Sequence, residues 1–173
     1  MMYEGYPFIF QMNDRSCSDK LLEYTMQYRF KSTKSNHTYI VRVERYIDHA
    51  YCVKFYDKAN TASDNKFSFR TSTFEPRTIV YTVLNIMFDV LKRDPNASFF
   101  FIGAEDEKDL PGKATRRFRF YSNMVISAIS DKVFEHFRTD HLSLYVLVNK
   151  SYVKDMSDYV NKINDYVERA MFE

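Results

Sequence analysis

The run Ser98-Phe99-Phe100-Phe101-Ile102, closed by Gly103, gives a strand with no polar side. Successive side chains on a strand point to opposite faces, so apolar residues at every position require cover on both. The flanking sequence can supply that cover. Before the run, Ile79, Val80, Val83, Leu84, Met87, Val90 and Leu91 recur at helical spacing, with Pro76 suited to the first turn. Tyr81, Ile86 and Phe88 widen the apolar face, so this helix is expected to be covered on more than one side. Lys92 and Arg93 complement the negative end of its dipole. Asp94 stops it, because Pro95 disfavours the α region for the residue before it. After the run, Phe118, Tyr121, Val125, Ala128 and Ile129 restore the helical period over 114–129. Residues 142–148 read as a further apolar strand, and Met156, Tyr159, Val160, Ile163, Tyr166, Val167 and Ala170 as a terminal amphipathic helix.

The N-terminal third has a different period. Residues 6–11 form a short apolar run with Pro7, which suits an edge strand. Leu22, Tyr24, Met26, Tyr28 and Phe30 then alternate with Glu23, Thr25, Gln27, Arg29 and Lys31, the pattern of a half-buried strand. Tyr39, Val41 and Val43 resume it after a polar turn, followed by Tyr51, Val53 and Phe55, and Phe67 and Phe69 mark a last short strand. The predicted fold is a single α+β domain over 1–173. It begins with an antiparallel β-meander of four to five strands, followed by helix-strand-helix-strand-helix packed on the sheet.

Composition excludes more than it assigns. Gly5, Gly103 and Gly112 are the only glycines, so phosphate-cradling turns such as G-x-G-x-x-G or G-x-x-x-x-G-K-[ST] are missing and no cofactor is indicated. A formal net charge of +2 does not by itself imply nucleic acid or membrane. Cys17 and Cys52, with no C-x-x-C spacing, suit a reducing compartment. No signal peptide or long apolar span is evident, so a cytoplasmic protein without membrane partners is expected.

The local charge that stands out is Lys113, Arg116, Arg117 and Arg119, at the start of the second predicted helix. Cations there oppose the helix dipole, which an anion held nearby would offset. On a helical wheel Arg117 borders the apolar face beside Tyr121, while Arg116 and Arg119 point to solvent. One reading is a phosphate or nucleic-acid site built from arginine forks and helix N–H groups. The other pairs these arginines with Glu105, Asp106, Glu107 and Asp109 of the same chain.

The run Phe99-Phe100-Phe101-Ile102-Gly103-Ala104, followed by Arg117-Phe118-Arg119-Phe120-Tyr121, resembles a family of small bacterial domains of unknown function. Those domains pair an apolar strand ending in Gly-Ser with an Arg-x-Arg-apolar-Tyr helix start. The likeness spans about residues 65–150. It implies a fold and a place to look, with no activity attached.

Other chemistries find weaker support. His136 and His141 are five apart, short of the three or four convergent ligands of a zinc site. The acidic run lacks a calcium-loop pattern, and neither cysteine sits in a motif that would activate it. The leading expectation is a non-catalytic binding or protein-interaction module, self-associating as a homo-oligomer or meeting another protein. Polyanion binding through the arginines is the alternative. A third class, a small hydrolase or nuclease, requires Glu105 or Asp109 to converge with those arginines.

Overall fold

The computed structural model describes residues 3–16, 19–63, 66, 75–103 and 109–172. They carry seven strands and three helices, in two compact units, Met1–Ala97 and Ser98–Glu173.

In the N-terminal unit, β1 (Phe8–Asp14), β2 (Leu22–Lys31), β3 (Thr38–Tyr46) and β4 (Ala50–Asp57) pair antiparallel in sequence order. The period-two pattern of β2 settles its faces: Leu22, Met26, Tyr28 and Phe30 are buried while Glu23 and Lys31 are exposed. Helix α1 (Pro76–Arg93) packs on the inner side, where the Tyr28 hydroxyl donates to Asp89 at 2.7 Å. A second side of α1 is covered by residues 3–6. Asn85 accepts from the Tyr3 N–H at 2.7 Å and donates to the Tyr3 carbonyl at 2.8 Å, and Thr82 Oγ1 accepts from the Tyr6 N–H at 2.8 Å. The Tyr3 ring stacks on Tyr81, with centroids 5.3 Å apart. Gly5 permits this close approach, since a Cβ there would stand 2.8 Å from the Thr82 backbone nitrogen.

The predicted first strand over 6–11 is therefore shifted. Its start belongs to the strap over α1, because Thr82 takes the Tyr6 N–H, and the ladder begins at Phe8. The strand expected around Phe67 and Phe69 lies outside the described residues.

The C-terminal unit holds β5 (Ser98–Ile102), α2 (Arg116–Ala128), β6 (Phe134–Thr139), β7 (Leu144–Asn149) and α3 (Met156–Phe172). Strand β7 lies between β5 and β6, antiparallel to both, and all six of its residues are buried. Helix α2 covers one face through Phe118 and Tyr121, whose rings meet Tyr145 at 6.5 Å and Phe101 at 6.1 Å. Helix α3 lies on the other face, where Thr139 donates to Asn164 at 3.2 Å. Phe99 and Phe100, on opposite faces of β5, are both buried, so the double cover that such a strand demands is present at its start. It is incomplete at one end, however. Phe99 and Phe100 are each 2% exposed, whereas Phe101 and Ile102 are half-buried, against the expectation that all four are enclosed.

Two further expectations are corrected. The order after the meander is helix-strand-helix-strand-strand-helix, because 134–139 forms a strand that the apolar pattern did not reveal. The strand predicted over 142–148 starts at Leu144. Leu142 closes a 3₁₀ turn, and Ser143 takes a left-handed conformation at φ 48° that ends the turn before the ladder.

The junction that places α2 is tight. Thr115 caps the helix by accepting from the Phe118 N–H at 3.1 Å, and its hydroxyl donates to the Gly103 carbonyl at 3.0 Å. Ser143 accepts from the Thr115 N–H through its hydroxyl at 2.9 Å and from the Gly103 N–H through its carbonyl at 2.9 Å. A Cβ on Gly103 would stand 2.5 Å from Phe118, so only glycine lets the helix start sit against the end of β5. Among the described residues no helix is long and apolar enough to cross a membrane.

Candidate functional site

The arginine cluster has the orientation expected from the helical wheel. Arg116 and Arg119 are exposed, and Arg117 is half-buried close enough to Tyr121 for its charge to act on the phenol. Burial raises the Tyr121 pKa, and the Arg117 charge opposes that rise. Lys113 is exposed in the preceding turn. What the wheel could not show is that this helix start already holds an anionic group. The Asp109 carboxylate accepts from the Arg116 N–H at 3.0 Å, and the Arg119 guanidinium donates to the Ala114 carbonyl at 2.8 Å. Glu105, Asp106 and Glu107 lie outside the described residues.

A cleft of about 430 Å3 opens at the other end of α2, between that helix end and β6. Its volume falls within the range of small-molecule sites. Ile126, Ile129 and Phe137 form apolar walls, and Tyr145 lies at its base, 1% exposed. His136 and Arg138 enter it from β6. These two share a strand face because they are two residues apart, and β7 sets Tyr145 opposite Arg138 in the ladder.

The polar groups of the cleft are held in place. His136 Nδ1 lies 2.5 Å from the Tyr145 hydroxyl, with the rings edge to face at 5.7 Å between centroids. Burial lowers the His136 pKa, only partly offset by a hydrogen bond with the Ile129 backbone and by the carboxylates of Asp131 and Glu135. Burial likewise pushes the Tyr145 hydroxyl up to about 12, with Arg138 pulling the other way. At neutral pH the ring is therefore uncharged and the phenol protonated, so the phenol can donate to Nδ1. The Arg138 guanidinium lies over the Phe118 ring, 5.1 Å from its centroid, and its Nε donates to Asp140 at 2.8 Å.

His136 and His141 do not act together. His136 meets Tyr145, while His141 Nε2 lies 3.5 Å from Glu168 on α3. Among the described residues no group of three or more His, Cys, Asp or Glu is placed to hold a metal ion. Cys52 is buried as a free thiol with its pKa pushed up to about 12 by burial, so it is a packing residue and not a nucleophile. Cys17 lies outside the described residues.

A second polar cluster sits in the N-terminal unit. Asp94 Oδ2 accepts from His49 Nδ1 at 2.6 Å, from the Tyr51 hydroxyl at 2.9 Å and from Arg45 at 3.2 Å. Its other oxygen accepts from the Asn96 N–H at 3.1 Å. These donors hold the Asp94 pKa below the usual carboxylate value despite the opposing effect of burial. The carboxylate ties the end of α1 to the β3–β4 turn, where Asp48 and His49 adopt left-handed φ values of 58° and 59°.

Sequence reasoning missed the cleft. In the sequence His136 offers itself only as a metal ligand and Arg138 as nothing in particular, because neither belongs to a motif. The available signal was the alternation Phe134, His136, Arg138 beside the apolar strand that supplies Tyr145. Comparison with protein-family models, curated proteins and solved structures returned no match.

Proposed function

We propose that this protein is a non-catalytic binding module whose ligand site is the cleft between the end of α2 and β6. The observation that carries the reading is an open space of about 430 Å3 with apolar walls and a few converging polar groups, Tyr145, His136 and Arg138. The role is binding because the groups suited to acid–base chemistry engage one another. Nδ1 of His136 is taken by Tyr145, and the ring also meets the Ile129 backbone. A general base needs a nitrogen within reach of a substrate proton.

The rival is a polyanion site at Lys113, Arg116, Arg117 and Arg119. It is disfavoured because Asp109 already provides the negative group at that helix end. A protein partner or a second copy is a further reading of a binding role, but part of the wide apolar face of α1 is taken up by residues 3–6.

The test is a thermal-shift screen of small amphiphilic compounds against the full chain and against Ser130→Trp, which fills the mouth of the cleft. A ligand at 100 times its Kd stabilises by about 2.7 kcal/mol, and that gain should vanish in the variant. Ligands that stabilise both proteins equally would move the site elsewhere. Salt-sensitive polyphosphate binding, abolished by the joint change of Arg116, Arg117 and Arg119 to Gln, would favour the rival.

A further inference from the structure

Both ends of the cleft along β6 carry charges of both signs: Asp131 lines the His136 end, where Lys150 donates to the Asp131 carbonyl, and Arg138 pairs with Asp140 at the other end. Arg138 lies two residues further along the strand, about 7 Å away at the usual rise per residue. What distinguishes the Arg138 end is hydrogen-bonding capacity, since His136 is committed to Tyr145 while only the Nε of Arg138 is taken. Arg138 is also fixed in advance: Asp140 takes Nε, and the guanidinium rests over Phe118. Its terminal amino groups have no hydrogen-bond partner among the described residues, and Arg138 lines the cleft. A guanidinium held this way offers a planar fork matched to a carboxylate. Ile126, which is 52% exposed, and Ile129 form a wall that can take an apolar chain attached to it.

Building on the reading of the cleft as a ligand site, we propose that its ligand is an amphiphilic carboxylate. The carboxylate lies on the terminal amino groups of Arg138, and the apolar body lies against Ile126 and Ile129. Arg138 is the specificity-determining residue. Asp140 is a positioning residue that acts through the Arg138 Nε.

The test compares hexanoate, hexanamide and inorganic phosphate by calorimetry, with amide NMR shifts of residues 126–138 as the second readout. Hexanoate is expected to bind at least about tenfold more tightly than hexanamide, and Arg138→Gln should remove that difference. Arg138→Lys, which keeps the charge and loses the fork, should retain only part of it. Asp140→Asn should weaken hexanoate while leaving hexanamide unchanged.

If hexanoate and hexanamide bind alike and shift 126–138, the cleft is a ligand site and the carboxylate assignment is overturned. Inorganic phosphate binding as tightly as hexanoate would show an oxyanion site without use of the apolar wall, which also overturns it. If none of the three binds at tens of millimolar, the assignment and the reading beneath it both fall.

Discussion

The two units use the same side chains to opposite ends. In the N-terminal unit, His49, Tyr51 and Arg45 converge on Asp94, and each places a donor on one carboxylate oxygen. Glu75 is treated alike, since Tyr6, Ser32 and Ser35 all donate hydroxyl hydrogen bonds to its carboxylate. In the C-terminal unit, His136, Tyr145 and Arg138 line an open cleft, His136 paired with Tyr145 and Arg138 with Asp140. A carboxylate surrounded by donors closes its site and becomes a structural tie. In the C-terminal trio the histidine and tyrosine engage each other, and Arg138 gives only its Nε to Asp140, which leaves its terminal amino groups without a partner among the described residues. The comparison shows that residue type alone does not mark a site; what the polar groups point at does.

The contrast can be tested at several points. The largest effect is expected at the junction that positions α2. Gly103→Ala places a methyl 2.5 Å from Phe118 and should cost about 3 kcal/mol or more in a denaturant titration. Gly112→Ala, at φ +70° with nothing near the new methyl, should cost only about 1–2 kcal/mol. Equal losses would mean that the α2 start is not held against β5.

Removing the acid at the centre of the N-terminal cluster comes next. Asp94→Ala leaves three donors facing an empty position and should cost about 3 kcal/mol. Tyr145→Phe removes one hydrogen bond beside an open cleft and should cost about 1 kcal/mol. A reversal of that order would contradict the assignment of one cluster to structure and the other to binding.

The smallest effect is in pH, and the two units separate by window. The folded-state pKa of His136 lies below its unfolded value of 6.5, so the unfolded chain binds the extra proton. Stability should therefore be full above about pH 6.5 and fall as the pH drops through that value, a slope that His136→Phe removes. Asp94 is also depressed, from 3.8, so its contribution holds above about pH 4 and is lost only in stronger acid. Urea titrations at closely spaced pH values would separate the two, and an unchanged slope below pH 6.5 in the His136 variant would contradict the depressed pKa of the ring.

Legibility in the sequence followed burial. β2 was legible because the buried row Leu22, Met26, Tyr28 and Phe30 is flanked by the exposed Glu23 and Lys31 at its two ends, with the half-buried Gln27 and Arg29 between. β5 and α1 were legible because every position, or nearly every turn, is apolar. β6 was hidden because the face it shares with Tyr145 carries the half-buried His136 and the exposed Arg138, polar residues that line a cleft. A strand with polar residues on the face turned to its neighbouring helix loses the alternation that identifies strands. The sequence offers Asp109 as a partner for the α2 arginines, and the fold brings its carboxylate to the backbone N–H of Arg116 at the helix start.

The most direct test of the account is an amide NMR titration of the full chain with hexanoate. The account predicts shifts confined to the end of α2, to β6 and to Tyr145, with the signals of Arg45, His49, Tyr51 and Asp94 unmoved. Shifts centred on those four residues, or on Arg116 and Arg119, would contradict it.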